Sequence, residues 1–386
     1  MESMKDKAAI VGVGYTPQGK VPGRSSMSFH VEAARNAIED AGLKIGQVDG
    51  LLMQPPMSAV GDPMVAPAYL AQKLGIRVRF MAAHDVWGAS AGCMAQHAAW
   101  AVVHGLADYV VCTYGENALS GISEYGTALN GGVEYGMFGA VAGYALAAHR
   151  GIYEFGTGPE TWKEIAVAVR KWANLNPAAR YHDRPMSYED YYSSRIVVEP
   201  FRLFDMCLIS DGGRAFIVTT AERAKDCKKK PVYIMGMGQD HSATNAPQAT
   251  HLAGPIGAKV SGEEAYKMAG VTRKDIDACE IYDCFTYTVE MTLSGYGFFA
   301  PGEGKDFLKA ERLAPGGDFP INTSGGQLSE AYFQGFTALT EAIVQLRGEA
   351  GKRQLGTVPK TKSPEIIMVS HNGGVMQTHS TLILRR

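Results

Sequence analysis

The stretch EDAGLKIGQVDGLLM, residues 39–53, decides the fold, because the chain repeats its grammar in KMAGVTRKDIDACEI at 267–281. Each copy ends a helix, passes through Ala-Gly, sets an aspartate eight residues after the alanine and runs into an apolar strand. Working outward, a helix over 89–104, Gly105 and a strand at 108–114 are echoed by a helix over 330–347, Gly348 and the strand EIIMVS at 365–370. Strands at 7–13, 48–53 and 79–83, a helix at 27–41, and strands in GRAFIVTT (213–220) and PVYIMGMG (231–238) complete the alternation. It predicts an α/β class with mostly parallel pairing. The lysine-rich KDCKKKP (225–231) reads as a solvated boundary, which gives halves of 1–230 and 231–386. Residues 115–200, rich in Gly, Tyr, Trp, Asn and Pro, predict a loop-rich insertion or cap with one helix at 160–174. A ligand site is expected at the seam between the halves.

Composition narrows the function classes. The chain has 386 residues, 46% of them hydrophobic and 20% charged, enough apolar material for a large core. A net charge of −2 gives no reason to expect nucleic acid or an anionic membrane as a partner. The opening MESMKDKAAIVGVG has no signal-like apolar stretch before its strand. The longest uncharged apolar run, 135–148, is too short and glycine-rich for a bilayer span of about 20 residues. Six cysteines without a CxxC pair predict a reduced, cytoplasmic protein with no metal site. GYTPQGKV (14–21) nearly spells a phosphate loop, but Val21 stands where the metal-binding hydroxyl belongs and Pro17 interrupts the dinucleotide fingerprint.

Four segments together resemble the thiolase superfamily, in its sterol-carrier and lipid-transfer-protein branch. They are HDVWGASAGCMAQHAAWAVVHGLADYVVC (84–112), PFRLFDMCLISDGGRAFIV (200–218), EIYDCFTYT (280–288), and NTSGGQLSEAYFQG (322–335) paired with SHNGG (370–374). The resemblance covers essentially the whole chain and implies two α/β halves in an αβαβα arrangement. Its departures carry the chemistry. The usual nucleophilic cysteine would fall at about Gly88. Cys93 lies more than a turn inside the helix, where the free N–H groups that lower a thiol pKa are absent, and reads better as core. Cys284 is the other candidate nucleophile, with no base beside it in sequence. Tyr282 and Tyr332 replace the two flanking histidines, a pattern similar to aldolases that remove steroid side chains as coenzyme A thioesters.

That resemblance implies retro-aldol cleavage of a bulky β-hydroxyacyl-CoA. Two alternatives stay open: a CoA-dependent thiolase acting on a branched or aromatic β-oxoacyl-CoA, and a non-catalytic subunit that binds lipid or acyl-CoA. It also implies a coenzyme A thioester as substrate with no bound cofactor. The expected assembly is a homodimer, joined by a small zinc-ribbon/OB-fold subunit in a heterotetramer. In the lyase reading Tyr332 handles the β-hydroxyl proton and Tyr282 the enolate or its α-carbon. His371 and Asn372 supply oxyanion donors or orient a tyrosine, and Asp283 caps a helix starting at Cys284. Trp87, Gly88, Ser90, His84, Gly325, Gly326 and Gly373 are the candidate substrate-binding residues, and Arg195, Arg202 and Lys228 the candidates for the adenosine phosphates. The plainer alternative is packing: Tyr332, Phe336, Leu339, Ile343 and Leu346 lie at helical spacing on one apolar stripe.

Overall fold

The computed structural model describes residues 3–56, 66–121, 136–137, 139–242, 249–254 and 256–386. Its elements run β1 (Ala8–Tyr15), α1 (Ser26–Ala41), β2 (Gly50–Met53), α2 (Ala66–Leu74), β3 (Phe80–Ala83), α3 (Ser90–Val103) and β4 (Tyr109–Asn117). Then come α4 (Gly139–Phe155), α5 (Pro159–Ala173), α6 (Tyr188–Ser193), the short β5 (Ile196–Val198) and β6 (Phe201–Arg202), and β7 (Asp211–Thr220). The rest is β8 (Val232–His241), α7 (Ile256–Ala269), β9 (Ala278–Glu280), α8 (Thr286–Gly295), α9 (Gly304–Phe307), α10 (Ala310–Leu313), α11 (Phe336–Arg347), β10 (Ile366–Gly373) and β11 (Thr378–Arg385).

Among the described residues, nine of the eleven strands form one sheet in the order β3-β2-β4-β7-β1-β8-β11-β10-β9, and β5 and β6 pair separately. Read outward from the middle, β1-β7-β4-β2 matches β8-β11-β10-β9, and the parallel and antiparallel pairings match too. The two sets join through only Ala9↔Tyr233 and Ile10↔Val232. Antiparallel pairs dominate, which corrects the parallel expectation. For β10 and β11 the reason is local: they are joined by a tight turn, and a connection that short can only make a hairpin.

The repeated grammar has a mechanical meaning. Gly42 and Gly270 end α1 and α7 in the left-handed region, at φ 74° and 67°. The aspartates that follow hold the next central strand. Asp49 Oδ1 accepts from the Asp108 and Tyr109 N–H groups at 2.8 and 3.1 Å, and Asp277 Oδ2 from Glu365 and Ile366 at 2.7 and 3.0 Å. Each satisfies backbone donors at a strand entrance that would otherwise be left unpaired.

Helices α3 and α11 lie between the halves, each touching strands of both, while α1 covers β1, β4 and β7, and α7 covers β8 and β11. Every residue of α11 is buried. Its polar residues face partners in neighbouring layers: Thr340 accepts from Arg214, Glu341 pairs with Arg353, and Arg347 with Asp40. The structure differs from the sequence reading in two further places. Residues 139–155 form a 17-residue helix, α4, where mostly loop was expected; its small residues Gly143, Ala147, Ala148 and Gly151 make the buried face. And α11 starts at Phe336, so Tyr332 lies on an arm before the helix and not on its apolar stripe.

Candidate active site

Two turns with the same construction open the two central helices. Val86-Trp87-Gly88 precedes α3 and Phe333-Gln334-Gly335 precedes α11, and the middle residue of each has φ 51°. In each, the first residue donates its N–H to a hydroxyl four residues on: Val86 to Ser90 Oγ at 2.9 Å, Phe333 to Thr337 Oγ1 at 3.2 Å. Non-glycine residues seldom adopt this backbone, and a bulky tryptophan less than most. The turns meet at the seam. A Cβ on Gly335 would lie 2.6 Å from the Gly88 carbonyl oxygen, and one on Gly88 would lie 2.2 Å from both the Tyr282 ring and the Asn372 carbonyl. Both glycines are there because backbones and rings approach closely.

The segment 321–335 positions the tyrosines. Asn322, itself at φ 46°, accepts from the Ile281 N–H at 2.7 Å and donates to its carbonyl at 3.0 Å, which holds the chain after β9. Gly325 and Gly326, both at positive φ, turn the chain into one π-helical turn at Gly326–Glu330. Asp283 accepts from the Gln327 and Leu328 N–H groups at 2.8 and 3.4 Å. It therefore caps this turn and not α8, which starts at Thr286. The arm then carries Tyr332, whose N–H donates to Ser210 Oγ at 3.2 Å. Tyr332 is half-buried and Tyr282 buried, and their hydroxyl oxygens are 3.1 Å apart. The Tyr282 hydroxyl also donates to Gln334 Oε1 at 3.3 Å.

Burial, not charge, sets the protonation states. It pushes the Tyr282 phenol well above its usual range, with no cation among the described residues beside it to hold a phenolate. His371 is lowered to about 4 by the same cause and is neutral. Its Nδ1 lies 3.3 Å from the Ser380 carbonyl, so Nδ1 donates and Nε2 is an acceptor. Of the two expected oxyanion donors, only Asn372 then keeps a hydrogen to offer. The Tyr144 hydroxyl donates to Asn372 Oδ1 at 3.1 Å, which turns Nδ2 away from it. Both His371 Nε2 and Asn372 Nδ2 are buried without a partner among the described residues. Buried polar atoms are normally satisfied, so a pair of orphans at one seam marks where polar ligand atoms belong.

Neither candidate nucleophile is primed. Cys284 and Cys93 are buried, and burial raises both thiols to about 12. Cys284 sits 4.0 Å from Thr288 Oγ1, and Cys93 donates to Gln239 Oε1 at 3.3 Å from inside α3. Asp283 is raised to about 6 by burial, against the hydrogen bonds that lower it.

The candidate binding residues divide. Gly88 and Gly373 are at the seam, the latter against Val86 and Trp87. Ser90 is spent on the first turn, Gly325 packs on Ala173 and Gly326 on Asp283. His84 turns elsewhere, its Nε2 2.5 Å from His97 Nδ1 on α3. Arg202 donates to the Tyr192 and Ser194 carbonyls, and Lys228 backs onto Gly42. Sequence reasoning missed Tyr144, Ser210 and Gln334. Of these only Gln334, next to a glycine in the quoted arm, left a signal. A cavity of about 580 Å³ between the end of α4 and residues 249–254 is lined by Arg150, Phe155, Thr250, His251 and Leu252. Leu252 also packs against the cluster holding Tyr282 and Tyr332.

A layered α/β fold with paired tyrosines at the seam of two similar halves defines a thiolase-like enzyme, and burial favours the protonated thiol at Cys93 and Cys284. The family model described as thiolase C-terminal domain-like matches residues 238–386. The chain is 34% identical to a steroid side-chain-cleaving aldolase of Thermomonospora curvata, over 90% of this chain and 92% of the relative. It is also 34% identical to the 17-hydroxy-3-oxo-4-pregnene-20-carboxyl-CoA lyase of Mycobacterium tuberculosis, over 89% and 92%. Among solved structures it matches an Ltp2-ChsH2(DUF35) aldolase with a TM-score of 0.88 at 32% identity, over 99% of this chain and 98% of that one. The chain belongs to the thiolase superfamily, in the branch that holds these aldolases and the sterol-carrier-type thiolases.

Proposed function

We infer that this enzyme is an acyl-CoA carbon–carbon lyase that cleaves a bulky β-hydroxyacyl-CoA by a retro-aldol reaction. The observation that carries the reading is the phenol pair at 3.1 Å at the same seam as an Asn372 Nδ2 that has no partner among the described residues, in a site whose thiols burial keeps protonated. In the step, the β-hydroxyl proton passes to the Tyr332 oxygen in concert with transfer of the Tyr332 proton to Tyr282 and of the Tyr282 proton toward the α-carbon, as the bond between the α- and β-carbons breaks. The β-carbon becomes a ketone. The electron pair becomes an enolate, whose oxygen accepts from Asn372 Nδ2. Tyr282 gives its proton to the α-carbon and is refilled by Tyr332, so one proton moves from oxygen to carbon and none is lost. No free phenolate is needed. Asp283 holds the turn that aims the arm, and Trp87, Gly88 and Gly373 shape the wall beside the reacting atoms.

The cavity next to Leu252 suits the bulky end of the acyl group, and the names of the two relatives point to a steroid ring system. The silent thiols count against the CoA-dependent thiolase reading. We also propose no resident cofactor, halves divided at 225–231, a homodimer, and a small zinc-ribbon/OB-fold partner; that a partner exists is supported by the two-component name of the Ltp2-ChsH2(DUF35) aldolase of similar fold. Among the described residues no helix is long and apolar enough to cross a membrane, and a cytoplasmic location is part of the proposal. The test is cleavage of 17-hydroxy-3-oxo-4-pregnene-20-carboxyl-CoA, with and without the partner, in the absence of free CoA. Release of a C17 ketone and propionyl-CoA supports the lyase. Turnover that requires added CoA refutes it.

A further inference from the structure

Gln334 stands at the crest of the second turn, buried, with φ 51°, and its Oε1 accepts the Tyr282 hydroxyl at 3.3 Å. The turn does not call for an amide, since Trp87 holds the same φ in the first half, and glycine or asparagine would hold it with less strain. What the amide does is settle a proton. A phenol has one hydrogen to donate. With the Tyr282 hydrogen held by Gln334, the 3.1 Å contact between the phenols is made by the Tyr332 hydrogen, and the Tyr282 oxygen accepts. Tyr332 then faces a substrate hydroxyl with a lone pair. Were Tyr282 to donate to Tyr332, the pair would reverse, and Tyr332 would meet the substrate with a hydrogen, a donor where an acceptor is required.

We propose that Gln334 is a positioning residue that sets the direction of the Tyr332–Tyr282 proton relay, so that the β-hydroxyl end accepts and the α-carbon end donates. The inference rests on the lyase reading and deepens it. During turnover the Tyr282 hydrogen leaves Gln334 Oε1 for the α-carbon, the Tyr332 hydrogen moves to Tyr282, and the substrate proton fills Tyr332. Gln334 itself gains and loses no proton.

Three variants test this in the whole enzyme. Gln334→Gly removes the amide and relieves the backbone, and Gln334→Met keeps the length but removes the acceptor. Gln334→Glu keeps an oxygen that accepts from Tyr282. The expected result is a kcat roughly tenfold lower for the Gly and Met variants, about the worth of one hydrogen bond, with KM within about twofold. Gln334→Glu should recover to within about threefold of wild type. A second readout follows the relay without cleavage: exchange of the α-hydrogens of propionyl-CoA in D2O, which should slow in step with kcat. Gly and Met variants that cleave and exchange like wild type overturn the inference, as does a Glu variant no better than Met. A wild-type enzyme that exchanges propionyl-CoA but cleaves no β-hydroxyacyl-CoA overturns the lyase reading instead, and the exchange assay then still decides the role of Gln334.

Discussion

The turn at Val86–Gly88 and the turn at Phe333–Gly335 have one backbone between them, the same φ at the middle residue and the same hydroxyl cap four residues beyond the first. They differ in what they hold. The first carries Trp87, with no thiol at the helix mouth; its nearest cysteine, Cys93, is buried in α3. The second is preceded by Tyr332 and crested by Gln334, and both reach Tyr282. In a duplicated fold the scaffold is thus retained in both halves, while the lyase reading proposed above concentrates the acid–base chemistry in one. The backbone is shared because it is held by main-chain bonds and glycines. The chemistry is not, because it depends on single side chains.

The largest expected effect comes from the second turn. Tyr332→Phe should lower kcat roughly 1,000-fold, as loss of a proton-transferring group typically does, while the melting temperature stays near wild type. Equal turnover of the two forms would refute the assignment. Next come the glycines that let the turns meet. Gly88→Ala would drive a methyl into the Tyr282 ring and the Asn372 backbone, and Gly335→Ala into the His371 ring and the Gly88 carbonyl. Each should cost about 3 kcal/mol by urea denaturation, because neither neighbour can give way, and should also lower activity. A neutral Gly88→Ala would mean that the turns are not tightly docked.

A smaller effect is expected from pH. Tyr282 is raised and stays protonated through the alkaline side, and His371, lowered to about 4, is neutral above that value. The profile of kcat/KM should therefore be flat from about pH 7 to 9. On the acid side Asp283 takes a proton near 6, weakening its hold on the turn after Gly326, and His371 charges near 4, so activity should fall with a midpoint at or below about 6. A midpoint above pH 7 would require a titrating base that this site lacks. Least of all should the cysteines matter. Cys93→Ser and Cys284→Ser should retain kcat within about threefold, measured as ketone release, and a collapse of activity in either would restore the thiolate mechanism.

Much of this was legible in the residues. The doubled Ala-Gly-Asp grammar marked two equivalent halves because each copy performs the same local task, ending a helix and pinning the next strand. The Tyr282–Tyr332 pairing was legible only through the resemblance, since periodicity assigned Tyr332 to an apolar stripe. That stripe belongs to α11, but the five residues before it form a non-helical arm that ends in the Phe333–Gly335 turn, and the pull of Ser210 on the Tyr332 N–H comes from a strand entrance 122 residues away. The helix α4 was missed because Gly139, Gly143 and Gly151 lower its helix propensity and only packing against another layer offsets that.

The sequence by itself determined the repeat, the absence of a cysteine at the first turn and the two tyrosines in histidine positions, because these depend on local order and residue identity. Only the tertiary structure decided which groups meet and in what protonation state. Asp283 caps a turn 44 residues distant, His371 is left with an acceptor at Nε2 because its one ring hydrogen points to the Ser380 carbonyl, and Gln334 meets Tyr282 from 52 residues away in the chain. The physical reason is that burial and hydrogen-bond partners, which set a phenol's or an imidazole's behaviour, are supplied by segments far apart in the chain.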